Sequence, residues 1–133
     1  MNEKLEKFKN DSAVLERLEK VKYENKLRLA EYIRTSNGVV VNPDSIFDIQ
    51  AKRLHEYKRQ LLNAMNILDT YYTLKENPSL DICPRTYVFG AKAASSYYMA
   101  KQIIRLIWQL GEVINNDKSI NDKLKVVFLE NYR

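Results

Sequence analysis

SIFDIQAKRLHEYKRQLLNAMNILDTYY, residues 45–72, reads as a strand, a cationic stretch and a helix in succession. Ser45–Ala51 is a short run of β-prone residues bounded by the turn-forming Asn-Pro-Asp before it. Residues 55–75 place Leu61, Leu62, Met65, Leu68 and Tyr72 at helical spacing, which predicts a helix with those residues on its buried side. The junction breaks a local rule. Cations near a helix N-terminus cost about 0.3–1 kcal/mol each. Yet Glu56 is the single acid among Lys52, Arg53, Lys58 and Arg59. Locally unfavourable choices concentrate at functional sites, and a bound anion would compensate this one.

Working outward, the pattern repeats. NPSLDICP (77–84) is a loop, RTYVFGA (85–91) a strand, and a helix capped by Ser95 or Ser96 runs to about Val113. Ile103, Ile104, Ile107, Leu110 and Ile114 form its apolar face, and with Leu106 and Trp108 also apolar it is expected to be well buried. LKVVFL (124–129) is a continuous apolar run, as in a strand buried on both faces. Upstream, residues 11–34 carry Val14, Leu18, Val21 and then Leu27, Ala30, Ile33. This is one long helix or two with a kink, the stripe shifting near Tyr23–Lys26 and the helix ending at Ser-Asn-Gly (36–38).

Strands alternating with helices predict an α/β fold with right-handed crossovers and parallel strands: the three-layer, Rossmann-like half β-α-β-α-β, preceded by a helical segment. The expected division is a helical lead, 1–42, and a partial Rossmann-like domain, 43–133. Three strands are few for a doubly wound sheet, so the chain is expected to be incomplete, with an unpaired outer edge open to dimerisation or aggregation.

Composition bounds the rest. The 133 residues suffice for one domain, and 45% hydrophobic with 29% charged residues is the balance of a globular protein. A net charge of +5 permits anionic partners. Cys83 is the lone cysteine and His55 the lone histidine, so neither a disulfide framework nor a His- or Cys-based metal site is expected. The first ten residues alternate charge and do not form a signal peptide, and no apolar run approaches a membrane span, so a reducing, cytoplasmic setting is expected.

In such folds ligands sit beyond the carboxyl ends of the strands, where helix N-termini point. Lys52 and Arg53 follow the first strand, with His55 to Arg59 opening the first helix. Gly90 and Lys92 follow the second strand, and Tyr132 and Arg133 the third. Charge and backbone amides together make this a phosphate site. Alternatives stay open from the residues alone. The basic stretch can be a solvated face, His55 a packing residue, and Tyr71–Tyr72 and Tyr97–Tyr98 core and rim. A non-catalytic basic module for phosphorylated ligands or nucleic acid also accounts for the charge, though nucleic acid is disfavoured. No glycine-rich nucleotide motif is present.

NPDSIFDIQAKRLHEYKRQLLN, PRTYVFGAKAASSYYMAKQIIRLI and KLKVVFLENYR resemble the α-glucan phosphorylases, the glycogen and starch phosphorylases, over roughly residues 15–133. The resemblance implies a GT-B glycosyltransferase domain. It implies an enzyme that releases glucose 1-phosphate from α-1,4-glucan with inorganic phosphate and pyridoxal phosphate. By motif position, Arg53 and Lys58 resemble the residues holding substrate phosphate, Lys52 the lysine near the cofactor phosphate, and Tyr57 the tyrosine beside the glucosyl unit. Tyr132 and Arg133 resemble residues of the cofactor's phosphate pocket. Two phosphates brought together need this surplus of cations, the planar fork of Arg and the point charge of Lys. In two places the chain departs from the pattern. GAKAASSY (90–97) stands where the family shows G-G-K-A-A-P-G-Y, which strains Ala91 if positive φ is required there. The family's cofactor-anchoring lysine, in G-T-G-N-M-K, is absent. So is the N-terminal domain. The piece alone is therefore expected to be inactive, with the rest of the parent chain as its natural partner.

Overall fold

The computed structural model describes residues 3–130. Its elements are α1 (Glu3–Glu6), α2 (Ser12–Asn37), β1 (Ile46–Ala51), α3 (Gln60–Glu76), β2 (Arg85–Gly90), α4 (Tyr98–Asn116), a short 3-10 turn (Lys118–Ile120) and β3 (Leu124–Leu129). The strands form one parallel sheet in the order β1-β2-β3, with Ala51, Gly90 and Leu129 aligned at their carboxyl ends.

Side-chain alternation along the strands builds two cores. On one face Tyr87, Phe89, Leu124 and Val126 meet Ala64, Ile67 and Leu74 of α3 and Ile103, Ile107 and Ile114 of α4. On the other, Val88 and Val127 meet Ile33 and Val41, with Leu29, Ala30, Phe47 and Leu129 packed around them. Helices on both faces make three layers, half of a Rossmann-like domain. The central β2 is buried almost throughout, while β1 is the more exposed edge.

α2 is a single helix. Asp11 caps its start by accepting from the Val14 amide, and Gly38 ends it at φ +69°, its N–H donating to the Arg34 carbonyl. The shift in the apolar stripe marks where this helix meets the sheet. Leu29, Ala30 and Ile33 pack, whereas Val14, Leu18 and Val21 are exposed.

Several sequence expectations are corrected. α3 begins at Gln60, not near His55; residues 52–59 form a loop tied to the rest of the fold by the hydrogen bonds described below. Its buried stripe is Ala64, Ile67 and Leu74, with Leu61 and Leu68 half-buried; Leu62, Met65 and Tyr72 are exposed. The helix is apolar around much of its girth, and contact with β2 and α4 chooses the face. α4 begins at Tyr98, and neither Ser95 nor Ser96 caps it. Trp108 is 55% exposed, so α4 is buried along a stripe only.

The outer edge of β3 is partly closed rather than unpaired. Asn115 Nδ2 donates to the Val126 carbonyl at 2.7 Å and its Oδ1 accepts from the Val126 amide at 2.9 Å. Asn37 Nδ2 donates to the Phe128 carbonyl at 2.9 Å. α4 reaches this edge because Gly111 lacks a Cβ, which would stand 3.0 Å from the Val126 oxygen.

Asp117 ties the C-terminal end of α4 to α3 and the 3-10 turn. Its carboxylate accepts from the Ser119 amide and hydroxyl, the Tyr71 hydroxyl at 2.7 Å and Lys75 at 3.0 Å. These donors, the Ser119 hydroxyl foremost, hold its carboxyl well below the usual range. The same carboxylate pushes Tyr71 up to about 12.

Candidate functional site

β1 and β2 end side by side at Ala51 and Gly90, and the loops that follow them, residues 52–59 and 91–97, are stapled together. Leu54 turns inward and is buried, and its amide donates to the Lys92 carbonyl at 3.1 Å. The Glu56 amide donates to the Tyr97 hydroxyl at 3.2 Å, and that hydroxyl donates to Glu56 Oε2 at 2.7 Å. The His55 ring lies 5.0 Å from Tyr57, nearly parallel, and 5.7 Å from Tyr97. Gln60, buried in the first turn of α3, donates Nε2 to the carbonyls of Lys52 and Arg53 at 3.3 and 3.4 Å.

These staples hold the stretch as a loop. A helix from residue 55 would set cations against its own positive end. With Leu54 drawn inward, Lys52 and Arg53 face solvent at the carboxyl end of β1. Lys58 folds back, its ammonium 3.1 Å from the Arg53 carbonyl and 5.7 Å from the centroid of the Tyr57 ring. Tyr57 is 77% exposed.

α3 and α4 both start at this rim with no side-chain cap and no acid in the first turn. The first amide of each is already used, Gln60 donating to the Lys58 carbonyl and Tyr98 to the Ser96 carbonyl, so the rim's positive character comes from the helix ends as a whole and from the loop cations. The Tyr97 pKa is raised: the Glu56 amide donating to its oxygen acts to lower it, but the Glu56 carboxylate and burial outweigh that. A cavity of about 580 Å³ lies elsewhere, lined by Asn37–Asn42, Asn115, Asn116, Asp122 and Lys125. There Lys125 pairs with Asp122, and Asn115 is spent on β3.

Of the residues singled out from sequence, Lys52, Arg53, Tyr57 and Lys58 fall within one loop, whose backbone is joined to that of Lys92. Tyr132 and Arg133 lie outside the described residues, which end one position past β3. Ala91 is buried without strain: the positive-φ non-glycine residues among those described are Asn121 and Asp122. Sequence reasoning missed Leu54, Glu56, Gln60 and Tyr97 as the residues that hold the loop. The one available signal was Tyr97's place in the loop after the neighbouring strand. Among the described residues no helix is long and apolar enough to cross a membrane.

A family model described as carbohydrate phosphorylase matches residues 2–133. The liver form of glycogen phosphorylase from Homo sapiens is 49% identical over 130 residues, 98% of this chain and 15% of that protein. The muscle form from Oryctolagus cuniculus is 48% identical over the same shares. Glycogen phosphorylase from Synechocystis is 54% identical over 113 residues, 85% of this chain and 13% of that protein. The chain thus spans about 15% of the length of the relatives it matches. With a match from residue 2 to residue 133 and near-half identity across its length, the chain belongs to the carbohydrate phosphorylase family.

Proposed function

We propose that this chain supplies the phosphate-handling part of an α-glucan phosphorylase. Such an enzyme moves the terminal glucosyl unit of an α-1,4-glucan onto inorganic phosphate, giving glucose 1-phosphate. The observation that carries the reading is the cationic loop 52–59, held at the joined carboxyl ends of β1 and β2 beside two helix starts without acidic residues. In this reading Arg53 grips the substrate phosphate through its planar fork and Lys58 adds a mobile point charge. Releasing Lys58 from the Arg53 carbonyl costs one exposed hydrogen bond, small against a charge-assisted bond to phosphate. Tyr57, exposed on the same loop, lies against the glucosyl unit. Concentrated positive charge lowers the cost of gathering dianions and holds the acceptor phosphate against the oxocarbenium-like glucosyl unit in the transition state.

The donor set also fits the phosphate of pyridoxal phosphate, which Lys52, Tyr132 and Arg133 would hold. When bound, that phosphate supplies a proton donor and acceptor at the scissile bond. The cofactor-anchoring lysine, the rest of the domain and a cytoplasmic, reducing setting belong to the parent protein in this proposal.

The test is glucose 1-phosphate release from glycogen and phosphate. The 133-residue chain alone should give none above background. A full-length phosphorylase carrying this segment should lose roughly 10²–10³-fold in turnover on Arg53→Met, the scale of removing one preorganised charge donor. Full activity in that variant would refute the assignment.

A further inference from the structure

We propose that Tyr97 is a positioning residue that parks Glu56, keeping the one carboxylate of the loop away from the cations that receive phosphate. This rests on the reading of loop 52–59 as a phosphate site.

The loop carries Lys52, Arg53, Lys58 and Arg59 with a single acid among them. Glu56 lies within a few residues of Arg53, Lys58 and Arg59, close enough on a turning backbone to pair with any of them. Such a pair would place an intramolecular anion where phosphate must bind. Among the described residues, however, no ion pair joins Glu56 to Arg53, Lys58 or Arg59. The carboxylate is turned instead toward the second loop, where Oε2 accepts from the Tyr97 hydroxyl at 2.7 Å. The same hydroxyl accepts from the Glu56 amide at 3.2 Å, so one phenol holds both backbone and side chain of this residue.

Tyr97 is suited to the task because it is attached to something rigid. It is the N-cap residue of α4, whose Ala100, Ile103 and Ile107 are buried in the core. Its ring also backs His55, fixing the preceding residue of the loop. A tyrosine rather than a lysine or arginine holds the carboxylate, so the acid is oriented without adding a cation that would itself compete for phosphate.

Rigidifying the loop and parking the acid make different predictions, and a rescue separates them. Binding of inorganic phosphate to the 133-residue chain is followed by the amide NMR shifts of residues 52–60 at low ionic strength. Tyr97→Phe should weaken binding roughly three- to fivefold, the effect of one exposed ion pair competing for the cations. Adding Glu56→Gln to Tyr97→Phe should return the affinity to within about twofold of the parent, because the freed competitor is no longer charged. Arg53→Met is the control for the site. If Arg53→Met weakens phosphate binding but Tyr97→Phe does not, or if Glu56→Gln fails to rescue Tyr97→Phe, the parking role is overturned and the phosphate site stands. If phosphate binding does not depend on Arg53, the functional reading falls and this inference falls with it.

Discussion

Asn115→Ala should open the outer edge of β3. In the native protein the Asn115 amide pairs with both backbone groups of Val126, at 2.7 and 2.9 Å, as a neighbouring strand would. Removing it leaves a donor and an acceptor beside α4, which Gly111 brings within van der Waals reach of the Val126 carbonyl. Each net hydrogen bond is worth about 0.5–1.5 kcal/mol, and an orphaned buried group costs somewhat more. Asn115 is only half-buried, so water reaches part of the gap. The expected loss is about 2 kcal/mol. A domain of this size has a urea slope of about 1–3 kcal/mol per molar, so the unfolding midpoint should fall by roughly 1 M. The freed Val126 amide should exchange faster with deuterium, and light scattering should reveal association through the exposed edge. The comparison variant is Asn115→Asp, which keeps the acceptor and loses the donor, and should fall between the two. A midpoint shift below about 0.3 M, with Val126 exchange unchanged, would show that Asn115 does not seal the edge.

Other perturbations follow from the same structure. Ile107→Ala, at a fully buried α4 position between α3 and the sheet, should cost about 2–5 kcal/mol by chemical denaturation, a large share of a domain's total stability. The Asp117 cluster should limit stability at both ends of the pH scale. Its depressed carboxyl contributes fully above the ordinary aspartate pKa of 3.8, and that contribution is lost as pH falls toward the depressed native value. The raised Tyr71 contributes below pH 10, and its contribution is lost as pH rises from 10 to about 12. In thermal melts across pH, Asp117→Asn should flatten the acid limb, and an unchanged limb would exclude the cluster as its source.

Much of the architecture was legible from residue order. The strands at 45–51, 85–91 and 124–129 stand out because each is a short β-rich or apolar run bounded by turn residues, and the helices between them exceed any strand length. Gly38 marks the end of α2 because the left-handed turn it makes is cheap only for glycine. The cationic loop was visible as a violation of helix electrostatics, with Lys52, Arg53, Tyr57 and Lys58 all inside it.

Other features depend on contacts between segments distant in the chain. Glu56 and Tyr97 are 41 positions apart, and nothing local to either predicts a hydrogen bond between them. Residues 54 and 56 are tied by their amides to partners beyond β2, contacts invisible to helical periodicity, and α3 starts only at Gln60. Ala64, Ile67 and Leu74 face inward while Leu62 and Met65 face water, because a helix apolar on several sides has its orientation chosen by its neighbours. Asn115 likewise reads as a polar residue near a helix end until α4 is laid against β3. Periodicity and turn chemistry act over a few residues and therefore specify the elements and their alternation. Docking acts across the sheet, and it decides which face is buried, which edge is sealed and how the cations of one loop are presented.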